Sequence, residues 1–198
     1  MFVSLPVDER CKELESSFLG EELFQKTSMG DTEAFRTIYI HTANSVYGFL
    51  LSILKNKEDA EDLMQETYIK VREKAHLYQE QGKPLAWILT IAKNLAYMRL
   101  REKKKVVFID IQETEVSLDF SDVANAEDRM VLEAAFRVLN WEERQIVVLH
   151  AISGLRHREI GQLLKKPLST ILSKYNRALK KLKREIEERE EEYAGERN

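Results

Sequence analysis

Between residues 58 and 66, carboxylates recur at helical spacing. Asp59, Asp62 and Glu66 share one face, and Glu61 and Gln65 adjoin it. Held on a rigid helix, such groups accept paired N–H bonds from arginine, so the chemistry they offer is docking. Acids at a helix start also favour its dipole, which accounts for Glu58 and Asp59 but not for Asp62, Gln65 and Glu66 farther along. A second set, Lys93, Tyr97 and Arg101, repeats every four residues with Asn94 alongside. A basic track carrying a ring and an amide suits an unstacked nucleic-acid strand. Asn offers a donor and an acceptor together to a base edge. The third set follows the break Lys165-Lys166-Pro167 and comprises Ser169, Thr170, Ser173, Lys174, Arg177 and Lys181. Short polar groups and cations over the first turns of a helix fit the major groove of duplex DNA. Lys180, Lys183 and Arg184 continue the set toward phosphates, where they add salt-dependent affinity.

Other reactive types do not assemble. Glu73 and His76 form one Glu-x-x-His pair, whereas a di-iron bundle needs two pairs and two further Glu. His41, His150 and His157 lack ligand spacing, and the single cysteine, Cys11, excludes an internal disulfide and a thiolate zinc site. No Gly-rich phosphate loop is present. The expectation is a binding protein, with no enzyme activity, cofactor or metal.

Helices must position all three sets. The chain has 198 residues with only seven Gly and three Pro, and 33% are charged, a helical composition with little room for a many-turned sheet. Phe35, Ile38, Thr42, Val46, Phe49 and Ile53 step by three and four behind a cap at Asp31 or Thr32. Asn56 ends that helix, and the next buries Ala60, Leu63, Met64, Tyr68, Val71 and Ala75. Pro84 opens a third, whose inner stripe is Leu85, Ile88, Ala92 and Leu95. Trp87 reads as core rather than as a stacking platform. Helices resume over 129–139, 142–152, 156–164 and 168–189. In the last, Leu168, Ile171, Tyr175, Leu182 and either Ala178 or Leu179 face inward.

Charge is segregated along this order. Residues 93–105 hold six bases against one acid, 106–128 seven acids and no Lys or Arg, and 156–184 ten bases against one acid. Such blocks produce local fields that the net charge of −3 conceals. Val106 to Ile109 has no partner strand, so 106–128 reads as a mostly extended linker. No apolar run reaches 18 residues, and the N-terminus turns acidic by Asp8, unlike a signal peptide. A cytoplasmic protein without membrane insertion is expected.

Three stretches, in register, resemble one family. Asp59-Ala60-Glu61-Asp62-Leu63-Met64-Gln65-Glu66-Thr67-Tyr68-Ile69-Lys70-Val71 is similar to region 2.2 of bacterial extracytoplasmic-function (ECF) sigma factors of the sigma-70 family. Ala86-Trp87-Ile88-Leu89-Thr90-Ile91-Ala92-Lys93-Asn94-Leu95-Ala96 resembles region 2.4. Ile160-Gly161-Gln162-Leu163-Leu164, with Pro167 to Ile171 and Ser173-Lys174, resembles region 4.

The resemblance implies an all-α fold of two small helical domains joined by a flexible acidic linker, the C-terminal one with a helix-turn-helix. Its segments are an extension over 1–20, a region 2 domain over 21–105, the linker over 106–128, a region 4 domain over 129–190 and a tail over 191–198. It implies a sigma factor that directs transcription initiation at a subset of stress- or envelope-responsive genes. Asp59, Glu61, Asp62, Gln65 and Glu66 would dock on core RNA polymerase, at the β′ clamp helices, with the β subunit as a further contact. Lys93, Asn94, Tyr97 and Arg101 would hold the minus-ten element, aided by the loop His76–Lys83. Ser169, Thr170, Ser173, Lys174, Arg177 and Lys181 would read the minus-thirty-five element. An anti-sigma factor is a further candidate partner.

The chain departs from the family where Asn140-Trp141 replaces a usual Leu-Pro, Lys165 a common Gly, and Leu172 a usual polar residue. Leu172 lies beside the reading face, which leaves promoter preference open. The alternative reading is a stand-alone helix-turn-helix regulator of duplex DNA, for which an acidic linker is a poor ligand.

Overall fold

A computed structural model describes residues 19–79, 83–106 and 126–195, and among these the secondary structure is helical throughout. The α-helices are α1 (Glu22–Ser28), α2 (Thr32–Leu54), α3 (Lys57–Lys74), α4 (Pro84–Val106), α5 (Ala126–Val138), α6 (Trp141–Ala151), α7 (His157–Leu164) and α8 (Leu168–Gly195). A 3-10 turn, Ala75–Leu77, follows α3.

Local chemistry sets most of these boundaries. The Asp31 carboxylate accepts from the backbone N–H groups of Glu33 and Ala34 at 2.9 and 3.0 Å, starting α2. Lys55, left-handed at φ 53°, ends it, and Asn56 caps α3 through the Asp59 N–H at 2.7 Å. At α6, where the resemblance expects Leu-Pro, Asn140 and Glu143 form a reciprocal capping box at 3.0 and 3.3 Å. The break between α7 and α8 is closed by Lys165, left-handed at φ 55°. A Cβ on Gly161 would stand 2.9 Å from the Lys166 carbonyl, so this close approach requires glycine.

Several expectations change. Helix α5 begins at Ala126, three residues ahead of the predicted start, and α8 runs on to Gly195. Leu19, placed in the extension, is buried at 5% exposure. Leu168, predicted inward, is 44% exposed, because the buried line of α8 begins one turn later at Ile171. Ala178, fully buried, takes the inner place that Leu179 could have filled. Residues 1–18 and 107–125 lie outside the described set, so the extension's N-terminal part and the extended reading of the linker are not described.

The two halves share one core. Phe49, Leu50 and Ile53 of α2 belong to the same buried cluster as Ile146, Leu149 and Ile152, and the cluster continues to Ile160, Leu163 and Ile171. At the seam lies Gly48, whose added Cβ would meet Ile152 at 3.6 Å, Val148 at 3.7 Å and Leu132 at 3.8 Å. A smaller cluster of Ala135, Leu139, Val147 and Ala178 ties α5 and α6 to α8.

Candidate nucleic-acid interface

The acidic face of α3 is only partly free. Asp62 and Gln65 are exposed, and Glu61 and Glu66 are half-buried. The Asp59 carboxylate turns onto α4, where Arg99 donates to it at 3.1 Å and Lys103 also pairs with it. Sequence spacing could not reveal this, since the partners lie 40 and 44 residues away. Ile69, 57% exposed, extends the face of Asp62 and Gln65 by one turn and was not anticipated.

On α4 the predicted set divides. Asn94 and Arg101 are exposed, Tyr97 is half-buried and Lys93 is buried. The Lys93 ammonium donates to the Leu163 carbonyl of α7 at 2.5 Å, a cation on the negative end of a helix dipole. Burial, and secondarily the charge of Lys165, lowers its pKa from the usual lysine value. The Tyr97 hydroxyl donates to Gln145 Oε1 at 3.4 Å, and its ring lies 6.2 Å from that of Trp141. Burial raises the pKa of this phenol, with the Glu142 charge adding to it.

Just before α4, Lys83 Nζ stands 3.5 Å from Glu159 and 3.4 Å from the Gln162 side-chain oxygen. These groups border a cleft of about 330 Å³ that Tyr78, Trp87 and Thr90 also line. Trp87 meets Phe24 edge-on at 5.6 Å, so its ring packs with the core and also faces the cleft.

Helix α8, expected from the sequence to read duplex DNA, also divides its set between two sides. Glu142 of α6 holds both Lys166 and Lys174 at 2.5 Å, and these bonds keep its carboxyl below the usual carboxylate range. Glu143, 1% exposed, holds Lys181 at 2.6 Å. Lys174 and Lys181 therefore lean back onto α6. Ser169, Ser173 and Arg177 are exposed, Thr170 is half-buried, and Arg177 donates to the Ser173 hydroxyl at 3.5 Å. Leu172, Asn176 and Lys180 stand exposed on the same outer side.

The structure thus lays the second set along the seam where α4 meets α6 and α7, while the third lies on α8 with Lys174 and Lys181 tied back to α6. Among the described residues, no helix is long and apolar enough to cross a membrane.

Comparison with known proteins identifies both halves of the chain. Residues 38–106 match the family model for Sigma-70 region 2, and residues 129–182 that for Sigma-70, region 4. The ECF RNA polymerase sigma factor SigK of Mycobacterium ulcerans is 31% identical over 169 residues, 81% of this chain and 90% of that protein. The ECF RNA polymerase sigma factor BldN of Streptomyces coelicolor is 28% identical over 172 residues, 82% of this chain and 64% of that protein. Among solved structures, the sigma factor RpoE in complex with the anti-sigma factor NepR from Bartonella quintana aligns with a TM-score of 0.62 at 21% identity, covering 79% of this chain and 98% of that one. CnrH in complex with the cytosolic domain of CnrY aligns at 0.59 and 18% identity, covering 85% and 97%.

Proposed function

The chain belongs to the sigma-70 family, in its ECF group, and is an RNA polymerase sigma factor; from that premise we propose how its surfaces divide the work. The observation that carries the reading is the presence of both family regions, in order, on one chain. Its partners are core RNA polymerase and promoter DNA. Segments 21–105 and 129–190 act as the two working units, with 106–128 as the tether between them. The exposed acids of α3 take arginines of the β′ clamp helices, and Asp59 serves mainly to fix α3 against α4. Asn94, Arg101 and Tyr97 hold the opened minus-ten strand, joined by Lys93 once it leaves the Leu163 carbonyl. The outer side of α8 enters the major groove at the minus-thirty-five element.

An anti-sigma factor is proposed as a third partner, since RpoE, a sigma factor that aligns with this chain, was solved in complex with one. The site of action is the cytoplasm, where polymerase and chromosome meet. The protein supplies binding surfaces and no catalytic step of its own. A stand-alone regulator would bind duplex DNA without the region 2 half, which makes that alternative the poorer reading.

Replacing Asp62 and Glu66 together with Lys tests the docking assignment. Losing charge partners inside an interface costs about 2–5 kcal/mol, so pull-down of core polymerase should fail while helicity and melting temperature stay near wild type. Undiminished pull-down overturns the assignment of this face.

A further inference from the structure

Resting on the reading of α8 as the minus-thirty-five helix, the chemistry of its outer side indicates which bases it selects. Lys174 and Lys181, obvious candidates by type, are bound at 2.5 and 2.6 Å by Glu142 and Glu143 on the α6 side of the helix. The side chain of Lys174 keeps only 21% exposure. Their charges are neutralised within the protein and directed away from the outer face.

Opposite the buried Ile171 and Ala178 runs the exposed line Ser169, Ser173, Asn176 and Lys180, in steps of four, three and four. Leu172 sits on its edge, three residues after Ser169 and four before Asn176, and is 40% exposed. Arg177 and Lys180, both exposed, supply the cations of this side of α8 and match it in charge to a nucleic-acid backbone.

A leucine projecting from such a face has one apolar feature to meet in a major groove, the C5 methyl group of thymine. An exposed asparagine one turn further along carries the donor and acceptor pair that matches N6 and N7 of adenine. Side chains four apart on a helix stand about 5–6 Å from each other, between one and two base-pair rises of about 3.4 Å, a span that flexible side chains close onto one pair or two adjoining ones. We propose that Leu172 packs on a thymine methyl group and Asn176 takes an adenine on the same or the adjoining base pair of the minus-thirty-five element. Lys174 and Lys181 act as positioning residues that fix α8 on α6. Promoter choice then turns on an A·T-containing step opposite residues 172–176.

The test uses holoenzyme, this chain with core polymerase, and duplexes selected from a pool randomised across the minus-thirty-five segment. In the selected sequence each thymine is replaced in turn by deoxyuridine, which removes only the methyl group, and each adenine by 7-deazaadenine, which removes only N7. One deoxyuridine should weaken binding about fourfold, the worth of one buried methyl group. One 7-deazaadenine should weaken it about tenfold, through the loss of a bidentate contact. Leu172→Ala holoenzyme should bind the thymine and deoxyuridine duplexes equally, and Asn176→Ala should likewise ignore the adenine change. Both variants should hold a pre-melted minus-ten fork that lacks the minus-thirty-five segment as wild type does, which shows them folded and docked. Lys174→Ala and Lys181→Ala should retain the wild-type order of base preference.

Deoxyuridine duplexes all bound like their parents, a thymine penalty that persists in Leu172→Ala, or a selected element with no thymine would each overturn the proposal. Those results leave the sigma-factor reading standing. A wild-type holoenzyme that selects no sequence at all from the pool would instead overturn the assignment of α8 to the minus-thirty-five element.

Discussion

Lys165 holds a left-handed backbone, φ 55°, at the end of α7, where glycine would sit without steric cost. That conformation costs an L-residue about 1–2 kcal/mol, partly offset by the chain entropy that glycine loses on folding. Lys165→Gly should therefore stabilise the protein by about 0.5–1 kcal/mol in urea denaturation. Lys165→Ala removes the same charge but keeps the backbone cost. An equal gain in both variants would trace the effect to repulsion of Lys93 instead. The substitution site was legible in the sequence as a departure from a common glycine; its backbone conformation was not.

A second residue-scale consequence concerns pH. The His150 and His157 rings stack at 4.4 Å, and Tyr175 meets them edge-on at 4.9 and 4.6 Å. Burial, and then the charge of His150, holds the pKa of His157 below its ordinary 6.5. The unfolded chain thus takes this proton more readily than the folded one, and stability is intact above about pH 6.5 and declines as pH falls below it. Melting temperature followed from pH 8 to 5.5 should drop more steeply for wild type than for His157→Gln. Parallel curves would remove His157 as the cause.

Among the helices, α6 governs how much charge α8 presents. Glu142 occupies Lys166 and Lys174 together, so Glu142→Gln should release two cations toward DNA. In anisotropy titrations on random duplex, the dependence of log affinity on log salt should steepen by about one to two. An unchanged slope would mean that these lysines do not reach phosphate. The helices themselves were legible, because apolar residues repeat at their period and Asp31, Asn56 and Pro84 punctuate them. The facing of α8 was not. Periodicity places Lys174 and Asn176 on a helix surface, but only Glu142, 32 residues before Lys174, decides which of them is drawn inward. Asp59 repeats the lesson, since Arg99 and Lys103 claim a carboxylate that spacing alone assigns to docking.

For the molecule as a whole, the seam between α2 and α6 raises a question of reach. Promoter elements named minus-ten and minus-thirty-five lie about 25 base pairs apart, or about 85 Å at about 3.4 Å per pair. A globule of this many residues is about 40 Å across. On the division of work proposed above, reading both elements requires α6 to leave α2 and Lys93 to leave the Leu163 carbonyl. The 19 residues between α4 and α5, 107–125, reach about 65 Å at full extension, enough with the two halves themselves to cover the span.

Reversing Lys83 to Glu places it against Glu159, 3.5 Å from the present ammonium, and should favour the opened form. Small-angle scattering should show a larger radius of gyration for Lys83→Glu, and the double variant with Glu159→Lys should restore compactness. A radius unchanged by the single reversal would show that this pair contributes nothing to closure. The sequence marked both halves correctly as helical. It could not show that they meet, because an apolar stripe does not name the surface that will cover it.

The Lys93 ammonium on the end of α7 also makes binding a matter of populations. On the proposed division of work polymerase and promoter engage the opened form, and their apparent affinity is then the intrinsic one scaled by the fraction of molecules that are open. With about one molecule in a hundred open, every such equilibrium weakens about a hundredfold. A protein that prefers the closed form then opposes polymerase by linkage alone, without touching any residue that polymerase uses. The reciprocal holds too: polymerase loosens that protein by the same factor, so the two settle their competition through a hinge that neither of them covers.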